Sequence, residues 1–90
     1  MSVALQAQNL TVSGTVKSAK SNKPLQSANV VIENTDLGTF TDEDGRFIIK
    51  DIQSSKVSVK ISMIGFVDTT LNVSTNEKTY DLGEIKLRTD

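Results

Sequence analysis

No cysteine, histidine or tryptophan occurs in these 90 residues, and there is a single proline. Without cysteine there is neither a disulfide framework nor a thiolate metal site, and sulfur gives no reading of the compartment. Without histidine the chain lacks the commonest general base and the commonest transition-metal ligand, which removes hydrolases of the Ser-His-Asp and Cys-His kinds. Aromatic residues make up 4%, a thin supply for the stacking platforms that bind sugars. No apolar run approaches the length of a membrane-spanning helix. Neither sign of charge dominates: 10 basic and 11 acidic residues leave a net charge of −1. The lysines are scattered, so there is no basic footprint for nucleic acid or anionic lipid.

What is present fits one small domain with one core, because a chain of this size hides only about 60–70% of its unfolded surface. Residues 9–90 are expected to form that domain. Residues 1–8 are uncharged, with a small, mildly apolar character that ends at Ala7, which leaves two readings open, a flexible terminus or the remnant of a processed leader. From Leu10 the pattern has period two, with Leu10, Val12, Gly14 and Val16 on one face and Thr11, Ser13, Thr15 and Lys17 on the other, a half-buried strand. Further strands are expected over Ala28–Glu33, Thr39–Thr41, Arg46–Lys50 with Phe47 and Ile49 inward, Lys56–Ile64, Phe66–Val73 and Tyr80–Leu87, where a step at Gly83 predicts a bulge or kink. No segment carries a helical stripe. Seven short strands at regular spacing predict an all-β fold, a seven-stranded antiparallel β-sandwich.

The turns hold the candidate site residues, and their role is structural. Leu37-Gly38 and Asp44-Gly45 place a residue tolerant of positive φ at two turns, with Gly45 the more critical, and Gly65 breaks the run between two strands. Asp42 and Asp44, with Asp36 nearby, have the carboxylate density of a calcium loop but not the twelve-residue ligand spacing of an EF-hand. The favoured reading is a turn in which Asp side chains accept bonds from the local backbone. Ser58 and Ser62 flank Lys60 on one strand face and could be drawn as nucleophile and base, yet plain polar alternation on a wet sheet face produces the same pattern. No catalytic residue, metal ligand or cofactor is assigned.

Five segments then resemble one family in order and spacing: Val12-Ser-Gly-Thr-Val16, Lys23-Pro-Leu-Gln-Ser-Ala-Asn-Val30, Leu37-Gly-Thr-Phe-Thr-Asp-Glu-Asp-Gly-Arg-Phe47, Ile61-Ser-Met-Ile-Gly-Phe66 and Asp81-Leu-Gly-Glu-Ile-Lys-Leu87. Together they are similar to the carboxypeptidase regulatory-like domains, small transthyretin-like sandwiches often found at the N-terminus of TonB-dependent outer-membrane receptors of Bacteroidetes. Two departures are Met63, where an aromatic is common, and Gln26-Ser27, where a Pro-Gly turn is usual. The resemblance implies a non-catalytic accessory domain of the periplasm or cell envelope, a spacer or docking module of a larger receptor. It further implies a protein partner, either the receptor plug or the TonB machinery, with no nucleic acid and no membrane insertion by this chain itself. The alternatives are a free-standing or peptidase-linked envelope domain, and a glycan-binding module using Phe40 or Phe66.

Overall fold

The computed structural model describes residues 9–90, so the two readings of residues 1–8 lie outside the described residues. Seven strands follow in order: β1 (Leu10–Ser18), β2 (Asn29–Ile32), β3 (Gly38–Phe40), β4 (Arg46–Ile52), β5 (Lys56–Ser62), β6 (Thr69–Ser74) and β7 (Thr79–Leu87). They form two sheets, β4-β1-β7 and β3-β2-β5-β6. Alternation decides which side chains enter the space between them. Leu10, Val12 and Val16 of β1, Phe47, Ile49 and Ile52 of β4, and Ile85 and Leu87 of β7 meet Val30, Ile32, Val59, Ile61 and Val73 of the other sheet. Each such side chain contributes about 1.5–3 kcal/mol by leaving water.

The sandwich is the one the alternation predicts, with one difference in strand direction. β1 pairs antiparallel with β4 but parallel with β7, while all pairings in the other sheet are antiparallel. Period-two patterning is blind to direction, and β1 and β7 lie at opposite ends of the domain with the whole fold as their crossover. The step at Gly83 is a bulge: Ser13 is opposite Asp81 but Thr15 is opposite Glu84, and Gly83 has φ 71°. This shift lets Leu82 and then Ile85 and Leu87, which differ in sequence parity, all turn inward. A second irregularity lies on β4, where Leu10 faces Ile52 but Val12 faces Ile49, with Asp51 at φ 62°.

Several boundaries depart from expectation: β2 is confined to Asn29–Ile32, β4 runs on to Ile52, and β5 stops at Ser62, so that Ile64 lies in the turn beyond it. β3 begins and ends one residue early, because Thr41 turns its hydroxyl to a different task described below. β6 begins at Thr69 rather than Phe66. Its first three expected residues are diverted to the chain's last ones: Val67 N–H donates to Arg88 O at 2.8 Å, and Phe66 bridges Thr89. Phe66 is half-buried against the core rather than displayed on a sheet face.

Candidate interaction surface

Asp42, Asp44 and Gly45 fall in one tight loop between β3 and β4. The Asp42 carboxylate accepts the N–H groups of Asp44 and Arg46, each at 2.9 Å, while Gly45 N–H donates to Asp42 O at 2.9 Å. This Asx turn engages Asp42 locally. Gly45, at φ 77°, is pressed on β1: its carbonyl accepts Val16 N–H at 2.7 Å, and a Cβ there would stand 2.5 Å from Val16 O. Any side chain therefore meets both backbone strain and a clash. Among the described residues no group of three His, Cys, Asp or Glu side chains is placed to hold a metal ion.

Gly38 differs from the turn role expected of it. It opens β3, and the positive φ of the preceding turn belongs to Asn34 at 66°. The constraint at Gly38 is space, since a Cβ would lie 2.9 Å from Val30 O. Thr35 closes that turn, donating its hydroxyl to Ile32 O at 2.8 Å and accepting Leu37 N–H at 3.0 Å. Gly65, at φ 91°, has open space where a Cβ would stand, so its constraint is the left-handed backbone alone.

Sequence reasoning missed Thr41, a buried residue that joins two loops. Its hydroxyl donates to Leu25 O at 2.6 Å and accepts Ala28 N–H at 2.9 Å. Its backbone N–H donates to Ala28 O at 3.0 Å, and its carbonyl accepts Ser27 N–H at 2.9 Å. Thr41 thus clamps the Leu25–Ala28 turn, where Ser27 stands at φ 66°. Only the turn residues of Leu25–Ala28 were visible locally. The clamp comes from 13 to 16 residues away.

The outer face of the β3-β2-β5-β6 sheet is polar with an apolar corner. Phe40, Asn29 and Ser62 lie in register across three strands, and Lys60 and Thr70 pair in the next row. The Ser58–Lys60–Ser62 stripe makes ordinary surface contacts: Ser58 Oγ donates to Asn72 Oδ1 at 2.8 Å, and Lys60 Nζ lies 3.6 Å from Asp68. At the corner, Phe40 is 65% and Ile64 99% exposed. With Met63, Asn29, Ser62 and Asp68 they border an open depression of about 520 Å³. A second hollow, of about 500 Å³, lies on the other side of Phe40 and is bordered by Arg46, Ile48 and Asp42. Tyr80, on β7 in the opposite sheet, is 39% exposed.

Residues 12–89 match the family described as the CarboxypepD_reg-like domain. The chain belongs to the carboxypeptidase regulatory-like family. The match takes in all seven strands of this carboxypeptidase regulatory-like domain apart from the first two residues of β1. Among curated relatives, the TonB-dependent receptor SusC of Bacteroides thetaiotaomicron is 35% identical over 91 residues, covering 94% of this chain and 9% of the receptor. The TonB-dependent receptor P3 of Formosa agariphila is 32% identical over 69 residues, covering 77% of this chain and 7% of the receptor. The domain thus spans less than a tenth of the length of the receptors it matches. Its fold is also similar to a chain in the crystal structure of a type II cohesin–X-dockerin complex from Acetivibrio cellulolyticus, with TM-score 0.75, 22% identity and coverage of 89% of this chain and 58% of that one. That likeness concerns the fold alone.

Proposed function

We propose that this chain is a non-catalytic accessory module of a TonB-dependent outer-membrane receptor, lying on the periplasmic side ahead of the receptor's plug and serving as spacer and docking unit. The observation that carries the reading is the alignment of 94% of this chain, at 35% identity, with 9% of the receptor SusC. The geometry supports it. A rigid two-sheet core holds short loops, and the polar groups of the outer face are spent on one another, as in the Ser58–Asn72 and Lys60–Asp68 contacts. The module itself neither crosses the membrane nor forms part of a barrel, and the partner is protein, the receptor plug or the TonB machinery.

In-frame deletion of codons 9–90 from the native gene tests this reading, with receptor abundance in the outer membrane and energy-dependent uptake read separately. The expected result is a receptor present in normal amount with reduced uptake. Unchanged uptake, or loss of the receptor from the membrane, overturns the proposed role.

A further inference from the structure

The apolar corner and the chain's exit lie side by side. Beyond β7, Arg88 O accepts Val67 N–H at 2.8 Å, Thr89 bridges Phe66, and Asp90 N–H donates to Gly65 O at 2.9 Å. The last residue is thereby fixed next to the turn whose tip is Ile64. Ile64 has essentially its whole surface in water, and Phe40 most of its ring. Nothing in the fold needs Ile64 to be apolar, because it makes no part of the core. Isolated exposed aliphatics are common, but here an aliphatic, an aromatic and the half-buried Met63 border one depression.

We infer that Ile64, Phe40 and Met63 form a seat for an apolar surface of the domain that follows Asp90 in the parent chain. The inference rests on the accessory-module reading, in keeping with a match to less than a tenth of each receptor's length. Position argues for this occupant over any other. A segment leaving Asp90 starts within hydrogen-bond distance of Gly65, and each further residue adds at most about 3.6 Å of reach. A linker of a few residues presents the next domain to this corner at an effective concentration in the millimolar range, so that even a weak contact is populated. Within-chain interfaces of this sort are of modest size and mixed polarity, as a corner of three apolar side chains rimmed by Asn29, Ser62 and Asp68 provides.

The test is hydroxyl-radical footprinting of two proteins, this 90-residue chain and the native chain extended through its next domain. Oxidation of Phe40, Met63 and Ile64 is read by mass spectrometry, with Ile48 and Tyr80 on the other sheet as references. In the extended chain, the rates at Phe40, Met63 and Ile64 fall several-fold while those at Ile48 and Tyr80 are unchanged. The double substitution Phe40→Ser, Ile64→Asp restores the rate at Met63 in the extended chain and leaves the unfolding midpoint of the 90-residue chain unaltered. Equal rates at the corner in both proteins overturn the inference while leaving the accessory reading intact. Protection that rises with concentration in the 90-residue chain overturns it in favour of a second copy. A native frame that stops after Asp90 removes the accessory reading, and the seat with it.

Discussion

Thr41 shows how a single hydroxyl holds two loops of this domain together. Its oxygen serves Leu25 O and Ala28 N–H at once, the second bond buried and the first partly so. Thr41→Val keeps the shape and removes both bonds, leaving the buried Ala28 N–H and the partly buried Leu25 carbonyl without this partner. Such groups cost about 1–3 kcal/mol each when orphaned, so we expect Thr41→Val to lower unfolding stability by about 2 kcal/mol or more, and Thr41→Ser to lose much less. Urea denaturation of the two variants measures the difference, and a larger loss in Thr41→Ser than in Thr41→Val would show that the methyl, not the hydroxyl, matters. The Asp42 turn was legible in the sequence because its bonds reach only two and four residues. Thr41 was not, because nothing near it in the chain marks Leu25 or Ala28 as its partners. Gly38 was misassigned for a related reason: a glycine required by a neighbouring strand's carbonyl reads, in sequence, like a glycine required by a turn.

At the scale of elements, the pairing of β1 with β7 joins the two ends of the domain, and it carries the one salt link between them. Lys17 Nζ donates to Glu84 Oε2 at 2.6 Å just past the Gly83 bulge. That hydrogen bond first, then the charge of Lys17 with a smaller contribution from Lys86, holds the Glu84 carboxyl below the usual carboxylate range, slightly opposed by desolvation. A carboxylate whose folded pKa is depressed stabilises the fold fully above its unfolded pKa, and that contribution is lost as pH falls through the folded value. Glu84→Gln is therefore expected to be slightly less stable than the parent chain at neutral pH and to converge with it under acid. Urea midpoints across an acid titration read the effect, which is small for an exposed pair and weakens with salt. A constant gap at every pH would refute the assignment to Glu84. The bulge was legible from the parity change between Leu82 and Ile85, whereas the parallel direction of β7 and the late start of β6 were not. Direction leaves no mark on alternation, and the residues from Phe66 to Asp68 alternate as well as any strand until the chain's end claims them.

The whole molecule is a sandwich whose interior is nearly all alternating Val, Ile and Leu, and this is why its architecture could be read from sequence while its surface could not. Inward positions obey a period, but the exposure of Phe40 and Ile64 depends on where strand ends and turns come to rest in space. Among the described residues, the outer face of the β3-β2-β5-β6 sheet is polar, with an apolar corner at Phe40, Met63 and Ile64. The account as a whole claims that this domain is one part of a receptor, in keeping with its match to less than a tenth of SusC and of P3. The most direct measurement is the native reading frame across the codon for Asp90. We predict that it continues into a plug domain and a long series of alternating, barrel-forming strands. A stop codon directly after Asp90 would contradict the account and leave an independent envelope domain in its place.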